Sequence, residues 1–222
     1  MKFYSTKHQV EPVSFEEAIF KGLPSDNGLF MPEKIPVLPP SFFEDLPSRS
    51  LPEIGYEVLK LFVDGEIPDS ELISIVEDTL NFDIPLSKIK DGVYSLELFH
   101  GPTLAFKDVG ARFLARCLSY FTNKSKKELT VLVATSGDTG SAVANGFYNV
   151  PGVEVVILYP TGKVSGFQEQ QMTTLGGNIT ALEVDGTFDD CQHIVKQSFL
   201  DEELISLKNL TSANSINMAR LL

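Results

Sequence analysis

From residue 94 onward, apolar runs and amphipathic stretches alternate along the chain at intervals of about 25 residues. The runs at 129–134, 153–159 and 179–184 have the length and aliphatic content of buried strands. Between and after them, stretches near 139–149, 165–175 and 187–200 place apolar residues at helical spacing. Upstream, 94–99 alternates in the manner of a strand, and 109–122 reads as the helix that follows it. Such alternation predicts an α/β fold, a parallel sheet with right-handed crossovers whose strand order one sequence leaves open. Functional loops in sheets of this kind gather at the carboxyl ends of the strands.

Residues 1–90 follow a different pattern. Amphipathic stretches at 14–22, 50–63 and 69–81 are separated by proline-rich segments, and nine of the thirteen prolines fall by residue 68. Ser14 with Glu17 has the spacing of a capping box, and Pro68-Asp69-Ser70-Glu71 opens a helix with Leu72, Ile75, Val76 and Leu80 on one face. The expected organisation is a helical N-terminal subdomain over 1–90, supplying packing and a lid, ahead of an α/β domain over 91–222. Residues 214–222 read as an amphipathic helix that no glycine, proline or polar tail terminates, so the second domain is expected to be truncated at its C-terminal end.

Charge and cysteine usage narrow the partners. A net charge of −12 argues against nucleic acid and against an anionic membrane surface. No run approaches the roughly 18 apolar residues of a membrane span, and the polar start Met1-Lys2-Phe3-Tyr4-Ser5-Thr6-Lys7 has no apolar signal core. Cys117 and Cys191, far apart and each in a helical pattern, read as buried free thiols of a reducing cytoplasm. His8, His100 and His193 have no metal-ligand spacing, and no metal site is expected. Oligomeric state is not readable.

Two motifs carry candidate chemistry. Residues 100–110, His-Gly-Pro-Thr-Leu-Ala-Phe-Lys-Asp-Val-Gly, set Lys107 at the mouth of a helix behind a Gly-Pro turn. A helix N-terminus disfavours an ammonium, and Leu104, Ala105, Phe106 and Val109 predict partial burial, with Asp108 offsetting part of the field. Those surroundings favour the neutral amine, the form that makes a Schiff base. Alone, the stretch reads first as a surface lysine beside a helix cap. The second motif, Thr135-Ser136-Gly137-Asp138-Thr139-Gly140, joins strand 129–134 to a helical stretch from Ser141. A strand, a Gly/Ser/Thr loop and a helix N-terminus present N–H groups and hydroxyls to a carboxylate or phosphate. It has neither a Walker ending nor a dinucleotide fingerprint nor a nucleophile elbow, and an ordinary capped βα turn is the alternative.

Taken in order, six stretches form one pattern along the whole chain: 26–32 (Asp-Asn-Gly-Leu-Phe-Met-Pro), 96–108, 134–142, 159–163 (Tyr-Pro-Thr-Gly-Lys), 174–178 (Thr-Leu-Gly-Gly-Asn) and 212–217 (Ser-Ala-Asn-Ser-Ile-Asn). That pattern resembles the pyridoxal-phosphate enzymes of the tryptophan synthase β-like fold, fold type II, and within them the threonine synthases of bacterial and fungal type. The resemblance implies pyridoxal 5'-phosphate as cofactor, held by Lys107. It implies that Thr135, Ser136, Gly137, Asp138 and Thr139 hold the substrate's α-carboxylate, and that Asn214, Ser215 and Arg220 hold the substrate's phosphate. Many relatives have asparagine near position 138, on the cofactor ring; Asp138 stands here and its role stays open.

The implied reaction converts O-phospho-L-homoserine and water to L-threonine and phosphate. A dehydratase or cysteine synthase of the same fold type, or a catalytically inert folding unit, are the alternatives. Members of the family are much longer, and their glycine-rich cup for the cofactor phosphate lies beyond Leu222. The chain is therefore expected to be an N-terminal half.

Overall fold

The computed structural model describes residues 1–126 and 128–222. In chain order the elements are β1 (Phe3–Ser5), α1 (Phe15–Lys21), β2 (Phe30–Pro32), α2 (Pro40–Asp45), α3 (Leu51–Val63), α4 (Asp69–Thr79), β3 (Leu86–Lys90) and β4 (Val93–Leu96). Then follow α5 (Lys107–Ser125), β5 (Leu129–Ala134), α6 (Asp138–Phe147), β6 (Val153–Pro160), α7 (Gly166–Thr173), β7 (Ile179–Val184), α8 (Phe188–Ser198), α9 (Glu202–Leu207) and β8 (Leu210–Ser212).

The central sheet is four-stranded and wholly parallel, in the order β7-β6-β5-β8. It is the α/β core that the alternating pattern predicts. Successive side chains of a strand point to opposite faces, and β5 divides accordingly. Val131 and Val133 enter the large core with Phe121, Val143 and Phe147, whereas Leu132 and Ala134 join Leu158, Cys191 and Val195 beneath α8. Burial on both faces explains why this strand is a continuous apolar run.

Helix α5 runs through the large core. It packs on α1, α4 and α6, and the ring of Phe121 meets those of Phe15 and Phe20 at centroid distances of 6.4 Å each. Asp78 of α4 pairs with both Arg112 and Arg116, and Arg116 also donates to the Gly146 carbonyl at the end of α6. Edge strand β8 is fastened to α1: the Thr211 hydroxyl (3.1 Å) and Asn217 Nδ2 (2.8 Å) both donate to the Ile19 carbonyl.

Several local expectations change. Residues 214–222 do not form an amphipathic helix; only a 3-10 turn, Met218–Arg220, is present. Asn217 caps it, and the same side chain donates to Ser212 O, so the segment's polar groups are spent on the sheet edge. The strand expected over 94–99 is confined to β4 and pairs antiparallel with β3 in a separate hairpin with a bulge at Lys88/Lys90. The N-terminal segment also contains the antiparallel pair β1–β2 besides its helices.

Ser14 accepts from Glu17 N, but Glu17 turns to Lys21, so the full reciprocal box appears instead at Ser50 and Glu53. No helix among the described residues is long and apolar enough to cross a membrane, and no cluster of possible metal ligands occurs among them.

Candidate active site at the N-termini of two helices

Lys107 opens α5, and the loop before it is shaped by a carboxylate rather than by a cap. Phe106 at the N-cap makes no side-chain hydrogen bond. Asp108, 1% exposed, instead reaches back to accept from the Thr103 N–H (2.9 Å) and the Thr103 hydroxyl. The turn has Leu104 at φ 59 and is closed by Leu104 N donating to Gly101 O at 3.1 Å. A Cβ on Gly101 would stand 2.6 Å from Asp108 Oδ2, so this carboxylate requires glycine there.

Leu104 and Phe106 turn outward, 63% and 60% exposed, leaving the lysine side chain 24% exposed. Its Nζ lies 4.6 Å from the Phe106 ring centroid. The ammonium lies 3.1 Å from Oδ2 of Asp138.

Asp138 is the first residue of α6, directly beyond the carboxyl end of β5. The turn between them is sewn together by one buried hydroxyl: Thr135 Oγ1 accepts from Gly137 N (2.9 Å) and Gly140 N (2.8 Å). Gly137 has φ 139, a conformation other residues avoid. No acceptor among the described residues takes the N–H groups of Ser136, Asp138 or Thr139. Those three donors, with the exposed Ser136 side chain, form an anion-receptive end to the helix.

The C-terminal segment returns to the same helix. Arg220 packs on Gly110, where a Cβ would lie 3.0 Å from its Nε, and Gly110 is one turn along the face that carries Lys107. Its Nη1 donates to Ala213 O, its Nε has no partner, and no carboxylate pairs with it among the described residues. Desolvation pushes the guanidinium below its usual range. A half-buried cation without a carboxylate partner is suited to receive an anion.

Of the residues expected from sequence, Lys107 and Asp138 are in contact, the loop 135–139 borders them, and Arg220 lies beside the lysine's helix. Thr135 has its hydroxyl committed inside the turn. Asn214 and Ser215 share Arg220's segment, and their side chains make no hydrogen bond to Lys107, Asp138 or Arg220.

Sequence reasoning did not single out α7, which spans both loops. Gln168 Nε2 donates to Asp138 Oδ1, and Gln171 Nε2 donates to Thr103 O at 3.4 Å. The Ser165-x-x-Gln168 spacing is the one local signal that marked this helix start. A cavity of about 1130 Å3 lies elsewhere, at the amino ends of β5 and β8 against Leu129 and Leu210, and takes no part in this geometry.

A family profile described as pyridoxal-phosphate dependent enzyme matches residues 84–219. The chain belongs to that family. Ahead of this region, a profile described as threonine synthase N terminus matches residues 2–80. Among similar proteins, a threonine synthase from Haemophilus influenzae is 47% identical over 222 residues, covering 100% of this chain and 51% of its own. The crystal structure of threonine synthase from Escherichia coli superposes with a TM-score of 0.90 at 46% identity, over 100% of this chain and 51% of that one. A structure of PLP-bound threonine synthase from Brucella melitensis gives 0.94 at 38% identity, over 100% and 49%. The chain spans about half the length of the curated relatives it matches. The family fold is the fold type II architecture expected above, with its parallel sheet in place.

Proposed function

We propose that this chain is the lysine-bearing half of a threonine synthase that converts O-phospho-L-homoserine and water to L-threonine and phosphate. What supports this most is the end-to-end likeness to threonine synthases combined with a lysine amine held between two helix N-termini. The division of labour we infer falls near residue 90, with 1–90 as an N-terminal subdomain and 91–222 carrying the chemistry. Two free, buried thiols, Cys117 and Cys191, fit a reducing cytoplasm.

The donor set fits pyridoxal 5'-phosphate at its aldehyde end, because Lys107 offers a primary amine at the rim of a loop rich in free N–H groups. When bound, that cofactor supplies the electron sink that makes the substrate's Cα proton removable. Lys107 would hold the cofactor through Nζ, and the same amine, when free, is the group placed to take the Cα proton. Asp138 lies against Nζ and keeps the amine aimed. The N–H groups of Ser136, Asp138 and Thr139 bind the substrate's α-carboxylate, while Thr135 and Gly137 keep the turn in shape. Arg220, with Asn214 and Ser215, receives the phosphate, whose charge completes the unpaired guanidinium.

The test combines capture and turnover. Borohydride reduction after adding pyridoxal phosphate to the intact protein is expected to mark Lys107 in preference to other lysines. Lys107→Ala is expected to lose that mark and all turnover of O-phospho-L-homoserine while keeping its circular dichroism. Equal turnover in the variant, or preference for serine or O-acetylserine over the phosphorylated substrate, overturns the reading.

A further inference from the structure

Gln168 has a geometry that neither the family reading nor the motif around Lys107 uses. It is the third residue of α7, whose N-cap Ser165 accepts from Gln168 N at 3.4 Å and donates its hydroxyl to Gln168 Oε1 at 2.9 Å. The far side of the carboxamide, Nε2, donates to Asp138 Oδ1, leaving Oδ2 for Lys107 Nζ. The backbone of the loop is cut to fit it: a Cβ on Gly137 would stand 2.3 Å from Gln168 Oε1. The Ser141 hydroxyl, on the first turn of α6, adds a contact to Gln168 O at 3.3 Å.

A chain of contacts therefore runs Ser165, Gln168, Asp138, Lys107, from the start of one helix through a second to a third. Asp138 is half exposed and has no other side-chain donor among the described residues to fix its rotation. An amide N–H on one carboxylate oxygen fixes the rotation of the group and leaves the second oxygen oriented towards Nζ.

We propose that Gln168 is a positioning residue: its carboxamide orients the Asp138 carboxylate onto Lys107 and so sets, from α7, how readily the lysine amine reacts with an aldehyde. The inference rests on Lys107 being the reacting amine and deepens that reading, because it assigns control of the amine to a residue of α7, outside the two helix starts that carry Lys107 and Asp138.

The experiment reads the amine directly. Intact protein and its Gln168→Met and Gln168→Glu variants are acetylated with limiting acetic anhydride. Peptide mass spectrometry then gives labelling at Lys107 relative to the exposed Lys34. Gln168→Met frees Asp138 and is expected to raise the Lys107 ratio on the order of threefold, the scale of one half-exposed ion pair. Gln168→Glu removes the same donor but sets a second carboxylate against Asp138, and the added negative charge is expected to hold the ammonium and lower the ratio.

Opposite movement in the two variants is what a positioning role requires. A ratio unchanged in both, or moved the same way in both, assigns Gln168 to the cap of α7 alone and overturns the proposal. Should Gln168→Met not fold, Gln168→Glu carries the decision, and a ratio equal to that of the unmodified protein overturns it. Pyridoxal phosphate capture on the unmodified protein runs alongside. Its absence at Lys107 defeats the functional reading, while the acetylation ratio still decides the role of Gln168.

Discussion

Asp108 is a charged side chain almost entirely out of water, and it is tolerated because two donors of Thr103 face it. Replacing it with alanine leaves the Thr103 N–H buried and unpaired, a cost of about 1–3 kcal/mol. Asp108→Ala is therefore expected to lower the urea midpoint with an unchanged slope. It should also weaken capture of pyridoxal phosphate at Lys107, since the loop before the lysine loses its clamp.

The sequence marked Asp108 only as a charge offsetting the helix field. Its bond back to residue 103 depends on the turn at Leu104, whose positive φ is not written in a leucine. The same limit hid Gln168: a side chain thirty residues from its partner in sequence announces itself only when two helix starts are brought together in space. Lys107 and the 135–139 loop were legible because their chemistry is local, a lysine behind Gly-Pro and a Gly/Ser/Thr turn after an apolar run.

At the scale of elements, helix starts carry a pH dependence. Glu53 accepts from the Ser50 N–H and hydroxyl, and Asp190 from those of Thr187; both are held below their ordinary values of 4.5 and 3.8. A carboxylate whose native value is depressed contributes stability that is complete above the unfolded value and is lost as pH falls through the native one. Acid titration followed by circular dichroism should accordingly show helicity declining below the ordinary values. Glu53→Gln, which cannot titrate, should show a shallower decline at α3.

The strands β5, β6 and β7 matched expectation closely because burial on one or both faces imposes a period that the sequence must obey. The β3–β4 hairpin was not foreseen as a pair, and its residues explain why. Leu86, Ile89, Val93, Tyr94 and Leu96 are all exposed apolar side chains, so no buried face marks 86–90 as the partner of the strand that 94–99 announces. The C-terminal turn was misread for a related reason: Met218, Ala219 and Leu222 mimic one face of a helix, while Asn217 and Arg220 are bound to backbone carbonyls that only the folded edge provides.

The whole molecule is unevenly cored. One side of the sheet shelters Phe3, Phe15, Phe30, Phe121 and Phe147 in a continuous cluster, while the α8 side has a small cluster around Cys191 and Val195. Burial pushes the Cys117 thiol well above its usual range, as befits an inert side chain of the larger side. Phe121→Ala is expected to cost about 3–5 kcal/mol and Val195→Ala less, at about 1–3 kcal/mol, a contrast that equilibrium urea unfolding measures directly.

The seam between β8 and α1 adds a dimension of time. Ile19 waits for its hydrogen-bond donor at Thr211, 192 residues later in the chain. At ribosomal speeds of about 5–20 residues per second, α1 emerges roughly 10–40 s before the edge that will hold it exists. During that interval the apolar face of α1, with Phe15, Ala18 and Ile19, lacks the strand-edge partner it will later lean on. A nascent chain halted before residue 211 is therefore the form most exposed to chaperones and proteases.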